Sequence, residues 1–254
     1  MNGTNPLALS GRVILITGGA QGIGEATARL CAERGAIVVI ADVLREQGER
    51  TVSSIREASG SASFFYTDVR QPDQVSRLMD HIRDAHGRLD TMICAAGVLR
   101  GAWQQPEELT LEEFSLTMDV NVKGLFLCAK YATPLLVETG RGVVVIVASG
   151  AGVAGPSSSL AYSSSKGGAN GFAMTLAARL GDRGVRVNVI CPGNIVTELK
   201  LSVDIAAAKR QGESVEAAIK NAHQNYGLPM GVARIIAFMT SDEAEYLRGN
   251  VYTR

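Results

Sequence analysis

The sequence predicts an α/β protein: a single domain over 1–254, built on a doubly wound parallel sheet of about seven strands with helices on both faces. Three observations predict it. Short runs of Val, Ile and Leu lack polar alternation, as expected of strands covered on both faces. Longer segments of helical periodicity separate them, and parallel pairing requires such crossovers. A glycine-rich turn joins the first strand to the first helix.

The elements follow in order. Arg12–Thr17 reads as a buried strand, Ile23–Arg34 as a helix, Ala36–Ala41 as the next strand and Leu44–Ala58 as the next helix. Ser63–Tyr66 is a short strand, and a helix runs from about Pro72 to His86. Leu89–Ala95 is a fourth strand, Leu111–Val137 a long helix and Gly142–Ala148 a fifth strand. Ala161–Leu180 is helical, Val185–Ile190 is a sixth strand, Met230–Thr240 a last helix and Asn250–Thr253 a seventh strand. In such a sheet ligands bind beyond the carboxyl ends of the strands, here Thr17, Ala41, Ala95, Ala148 and Ile190.

Composition narrows the function. The 254 residues suit one large α/β domain and are too few for two ordinary domains with linkers. Apolar residues make up 46%, enough for a sizeable core. Lys+Arg and Asp+Glu both number 25, so no global field draws in nucleic acid or anionic lipid. No apolar run is long enough to span a bilayer, and Met1–Pro6 lacks the shape of a signal peptide. A cytoplasmic protein is expected. Cys31, Cys94, Cys128 and Cys191 have no paired spacing and read as reduced, structural thiols; Cys191 lies nearest the expected cleft. His81, His86 and His223 are scattered, so no metal site is expected.

Thr17-Gly18-Gly19-Ala20-Gln21-Gly22-Ile23-Gly24 closes the first strand. Its glycines permit a tight turn, and the following helix offers free N–H groups and positive dipole to a pyrophosphate. The spacing is not the common G-x-G-x-x-G. Asp42 ends the second strand, placed to accept from the hydroxyls of an adenosine ribose and to repel a 2′-phosphate, which favours NAD over NADP. Asp42 also reads as a helix N-cap. Asp68 and Val69, after the third strand, are placed to flank the adenine, and Asp68 equally caps a turn. Tyr162 and Lys166 stand at i and i+4, on one helical face. Ser149 closes the fifth strand. Together these three make a proton-transfer site.

These residues resemble the short-chain dehydrogenase/reductase family over nearly the whole chain. The likeness rests on Thr17-Gly18-x-x-x-Gly22-x-Gly24, Asp42, Asp68-Val69, Ala96-Gly97, Asn121, Ser149, Tyr162-x-x-x-Lys166, and Pro192-Gly193 with Thr197. It implies a Rossmann-type nicotinamide-dependent oxidoreductase, commonly a homotetramer. By that likeness Tyr162 is the general acid/base, and Lys166 bonds the nicotinamide ribose and lowers the tyrosine pKa. Ser149 orients the substrate oxygen. Asn121 holds a water linking Lys166 to solvent. Gly193, Ile195 and Thr197 border the nicotinamide. Two departures stand out. Cys94-Ala95-Ala96-Gly97 replaces the family's frequent Asn-Asn-Ala-Gly, which puts the amide network tying the central strands in doubt. The chain stops at Arg254, where relatives commonly continue into an acidic, glycine-containing tail, so a short final strand or a trimmed end, with weakened subunit contacts, is expected.

Alcohol oxidation removes a proton from oxygen and a hydride from carbon; the cofactor takes the hydride. A tyrosine of ordinary pKa, about 10, is too weak a base at neutral pH, so neighbouring positive charge must favour the phenolate. The expectation is an NAD-dependent secondary-alcohol dehydrogenase or ketone reductase. The alternatives are an NADPH-dependent 3-oxoacyl-[acyl-carrier-protein] reductase, for which Arg100 alone offers thin support, and a silent nicotinamide-binding sensor. Residues 198–227 are expected to cap the substrate, with Leu99 and Trp103 as an apolar wall. Substrate identity is not legible.

Overall fold

The computed structural model describes residues 9–253, so the expectations placed on Met1–Pro6 and Arg254 lie outside the described residues. Strand β1 (Val13–Thr17) leads through the glycine turn to α1 (Gly22–Glu33). Then come β2 (Ile37–Asp42), α2 (Arg45–Glu57), β3 (Ser61–Tyr66) and α3 (Pro72–His86). Helix α3 opens on proline, whose fixed φ suits the first turn, and closes on Gly87 at φ 69°. Strand β4 (Thr91–Cys94) precedes α4 (Leu111–Met118) and α5 (Gly124–Glu138). Next are β5 (Gly142–Val147), α6 (Leu160–Leu180) and β6 (Val185–Cys191). The chain continues through α7 (Glu198–Gln211), α8 (Val215–Asn225), α9 (Pro229–Thr240) and β7 (Gly249–Tyr252).

All seven strands are parallel, in the order β3-β2-β1-β4-β5-β6-β7. The order reverses between β1 and β4, where Thr17 pairs with Cys94; at such a switch point the loops beyond the carboxyl ends diverge and ligands bind. The strand residues alternate between two cores. Val13, Leu15, Met92, Val144 and Val187 pack under α3, α5 and α6. Ile14, Ile16, Ile93, Val145 and Ile190 pack under α1, α2 and α9. Both faces are apolar because both are covered.

At the amino ends of the strands, two guanidiniums hold the last carbonyls of α9. Arg12 donates to Thr240 O over 2.7 Å, and Arg186 donates to Met239 O and Ser241 O over 3.2 and 3.0 Å. These cations sit where the helix dipole is negative. Among the described residues, no helix is long and apolar enough to cross a membrane.

The expected single helix over Leu111–Val137 is interrupted. Thr110 and Glu113 form a reciprocal capping box that starts α4. Then Asp119–Lys123 widens into a π-turn, with Gly124 N–H reaching Asp119 O, before α5 resumes. Apolar periodicity carries straight through this segment, so nothing in its pattern announces the extra residue. A π-turn inserts one residue and re-aims the side chain it carries, here Asn121.

Candidate active site

The glycine turn is shaped by contact with its neighbours. Gly18 has φ +69°, and a Cβ there would lie 2.5 Å from Ala96 N; only glycine allows β1 and β4 to release their loops this close together. A Cβ on Gly24 would lie 2.0 Å from Gly18 O, so α1 begins pressed against the turn. Gln21, extended at the N-cap of α1, makes no side-chain cap bond, which leaves the first helical N–H groups available to a ligand. Ile23 is half-buried and packs on the core beneath α1. A Cβ on Gly22 would lie 3.3 Å from Thr197, and one on Gly97 would lie 3.4 Å from Asn121 and 3.6 Å from Lys166. Residues of the loops after β1, β4 and β6 and the helical side chains of Asn121 and Lys166 therefore come together. This cradle, which any Cβ would fill, and the uncapped helix start fit a pyrophosphate-bearing cofactor.

Asp42 is nearly buried. Its carboxylate accepts from Ala20 N over 3.0 Å and from Leu44 N over 3.1 Å. It thus fixes the glycine turn to the end of β2. The N-cap of α2 is Leu44, so Asp42 forms a turn ahead of that helix and does not cap it. Asp68 takes the turn-capping alternative: its Oδ1 accepts from Arg70 N over 3.0 Å, and its carboxylate pairs with the Arg70 guanidinium. That bond holds its pKa below the usual carboxylate range. Val69 is buried, and a Cβ on Gly124 would lie 2.6 Å from it, so its side chain belongs to the core.

Ser149 follows β5, and its Oγ accepts from Ala151 N over 3.1 Å. Gly150 N donates to Pro192 O over 2.9 Å, joining the loops beyond β5 and β6. Tyr162 and Lys166 lie in the first two turns of α6, which Ser159 caps by accepting from Tyr162 N over 3.1 Å. The Ser149 side chain stands beside the Tyr162 hydroxyl and acts to lower its pKa. Lys166 Nζ is buried, donates to Val147 O over 2.8 Å and lies 5.5 Å from the Tyr162 ring centroid. The expected trio of hydroxyl, phenol and amine is assembled.

In the cofactor-free protein burial dominates the electrostatics of both groups. Burial pushes Tyr162 up to about 12, with the Ser149 side chain acting the other way. Burial pulls Lys166 down to about 8. In the protein alone the ammonium is held on the Val147 carbonyl, and desolvation dominates at the phenol.

Asn121 also does more than expected. Its Oδ1 accepts from Val98 N and its Nδ2 donates to Val98 O, both over 2.9 Å. The second Nδ2 hydrogen goes to Ser165 Oγ, 2.8 Å away on α6. The side chain's donors are spent on tying the β4 loop to the helix of Tyr162 and Lys166. Beside it, a cavity of about 10 Å³ is lined by Thr17, Cys94, Asn121, Cys128 and Lys166. All four cysteines are free and buried.

Sequence reasoning missed Ser159, Ser165 with its bond to Asn121, and the hydrogen bonds that the β4 loop makes to Ser159 and to the cap. Trp103 in that loop adopts φ +66°, and its N–H donates to Ser158 O over 2.7 Å. A serine before the apolar periodicity of α6 was a legible N-cap signal. Its partner Arg100 O, 2.6 Å from Ser159 Oγ, was not, being far off in sequence.

The chain is similar to known proteins over almost its full length. It is 36% identical over 242 residues to an oxidoreductase of Thermotoga maritima described as uncharacterized, covering 95% of this chain and 94% of that protein. It is 36% identical over 248 residues to the mitochondrial (-)-isopiperitenol/(-)-carveol dehydrogenase of Mentha piperita, covering 95% and 91%. It is 31% identical over 246 residues to the 3-oxoacyl-[acyl-carrier-protein] reductase FabG of Thermotoga maritima, covering 96% of each. The crystal structure of levodione reductase superposes with a TM-score of 0.88 at 29% identity, covering 96% of each chain. The short chain dehydrogenase family model matches residues 12–208, and this chain belongs to that family of nicotinamide-dependent oxidoreductases acting on CH–OH groups.

Proposed function

We propose that this chain is an NAD-dependent dehydrogenase or reductase of secondary alcohols and ketones, with Tyr162 as general acid/base. The convergence of the Ser149 hydroxyl, the Tyr162 phenol and buried Lys166, whose Nζ lies 5.5 Å from the Tyr162 ring, carries the reading. The nicotinamide accepts or donates the hydride when bound. The turn from Gly18 through Gln21, Gly22 and Ile23 to Gly24 would hold its pyrophosphate. Asp42 would meet the adenosine ribose, and the main chain at Asp68 and Val69 the adenine. Ala96 and Gly97 would line the middle of the crevice. Pro192, Gly193, Ile195 and Thr197 would border the nicotinamide end.

Tyr162 gives a proton to, or takes one from, the substrate oxygen, and Ser149 holds that oxygen in place. Lys166 supplies positive charge at the same spot. Asn121, with its side-chain donors committed, fixes the loop and helix around it, and a water near it would link Lys166 to solvent. Asp42 supports NAD: a nearly buried carboxylate at the ribose position repels a 2′-phosphate. Arg45 would have to offset it, but its guanidinium lies over the Tyr66 ring at 5.3 Å, close to Glu49.

Helices α7 and α8 form the cap. Its base is stapled by Val196 N to Gly227 O and Gly227 N to Asn194 O, both 2.9 Å. We assign a second copy of the chain to the groove between α5 and α6, lined by Phe126, Lys130, Phe172 and Leu176, with a volume of about 220 Å³. Exposed Phe126 and Met174 on these helices support a homo-oligomer, and sedimentation would test it. Four buried free thiols fit a reducing compartment such as the cytosol.

Absorbance at the nicotinamide band, with a panel of alcohols and ketones and with NAD or NADP, tests the activity. Turnover with NAD on a secondary alcohol supports it; no turnover across the panel overturns it. Likeness to FabG favours a second reading, reduction of 3-oxoacyl groups, which requires activity with NADPH and a carrier-bound substrate.

A further inference from the structure

The loop that follows β4 touches both the cap and the start of the catalytic helix. On the cap side, Trp103 Nε1 donates to Val203 O over 3.4 Å, and the Arg210 guanidinium donates to Trp103 O. Both partners lie on α7, two turns apart. On the other side, Trp103 N donates to Ser158 O over 2.7 Å. Three residues earlier, Arg100 O accepts from Ser159 Oγ over 2.6 Å. That same buried oxygen accepts the Tyr162 N–H over 3.1 Å. A path of hydrogen bonds joined by short main-chain steps thus runs from α7 through Trp103, Ser158 and Ser159 to the main chain of Tyr162.

Two observations mark the loop as a coupling element. Trp103 is held at φ +66°, a conformation that a bulky residue keeps only where its surroundings impose it. The base of the cap is closed by its own staple at Ile195–Gly227, so α7 is free to respond mainly at its far end, where Arg210 sits.

We propose that Trp103 and Arg210 are positioning residues: docking of α7 on the loop Arg100–Trp103 sets the first turn of α6 and thereby the placement of Tyr162. A substrate that seats the cap would complete the site in the same movement. This rests on the proposed function for its catalytic consequence, but the mechanical coupling does not.

Hydrogen–deuterium exchange of the full chain tests it, comparing wild type with Arg210→Ala, Arg210→Lys and Lys209→Ala. Arg210→Ala removes one hydrogen bond on an exposed side chain, and exchange in the first turn of α6, Tyr162 N–H included, is expected to speed up about fivefold. Arg210→Lys, which still donates to Trp103 O, should restore slow exchange, and Lys209→Ala should match wild type. Faster exchange confined to α7, with α6 unmoved, overturns the coupling. In turnover assays Arg210→Ala should lower kcat while the KM for nicotinamide cofactor stays constant, and Arg210→Lys should recover kcat. A lowered kcat that lysine does not rescue also overturns the proposal. If wild type turns over nothing in the panel, the proposed function fails, and the exchange result alone decides the coupling.

Discussion

Lys166 Nζ donates to Val147 O over 2.8 Å, so the buried ammonium of α6 is held by the last carbonyl of β5. Burial moves this group from 10.5 to about 8, which corresponds to about 3 kcal/mol against folding at neutral pH. Replacing it with Met removes that term and also the hydrogen bond, itself about 1 kcal/mol. We therefore expect Lys166→Met to stabilise the cofactor-free protein by about 2 kcal/mol at pH 7. Below pH 8 both folded and unfolded wild type bind the proton, and the penalty is complete. Between pH 8 and 10.5 only the unfolded state keeps the proton, so wild type gains stability as pH rises. Urea unfolding at several pH values should show the advantage of Met shrinking across that interval. An advantage independent of pH would contradict the assignment.

Tyr162→Phe removes only the hydroxyl beside Ser149. We expect turnover to fall by about 10²- to 10⁴-fold, with cofactor affinity preserved in a fluorescence titration. Because burial holds Tyr162 near 12, the hydroxyl of the free protein is protonated at neutral pH. Ketone reduction, which uses the proton, should run well at neutral pH. Alcohol oxidation, which needs the phenolate, should climb as pH rises. A flat pH profile for kcat/KM of oxidation would argue against Tyr162 as base.

Asp42 braces the glycine turn through Ala20 N and faces the expected ribose position. Asp42→Ala should narrow the preference for NAD over NADP, read as the ratio of kcat/KM values. It should also weaken both cofactors somewhat, because the turn loses its brace. An unchanged ratio would remove Asp42 from cofactor selection.

Asn121 makes three side-chain hydrogen bonds in a nearly buried position. Asn121→Ala should destabilise the chain by about 2–4 kcal/mol, as expected when a buried network is broken and Val98 loses both its partners. Chemical denaturation measures this. A change under about 0.5 kcal/mol would show that water replaces the amide fully.

The sheet was legible because its strands are continuous Val and Ile runs, and burial on both faces leaves no other reading of β1, β2, β5 and β6. Tyr162, Lys166, Ser149 and the glycine turn were legible because short spacing and strand ends fix them locally. The loss came where geometry depends on distant partners. The Asp68–Arg70 pair is a local exception: the two residues are neighbours, yet the sequence alone offers both the turn and the ligand reading of Asp68. Nothing near Arg100 says that its carbonyl meets Ser159. The burial that raises the Tyr162 pKa in the cofactor-free protein was not legible, because charge can be counted in a sequence, whereas desolvation needs the packed neighbours.

The widened turn at Asp119–Lys123 has a consequence for length. An α-helix advances about 100° per residue, so the extra residue rotates everything after it by that angle. Upstream, Asn121 is aimed at Val98; downstream, Leu125, Leu135 and Leu136 are aimed at the sheet. Deleting Val122 would straighten the helix and bring these two faces into conflict: either the amide leaves the loop or the leucines leave the core. The segment therefore tolerates exchange of its side chains far better than loss of a single peptide unit.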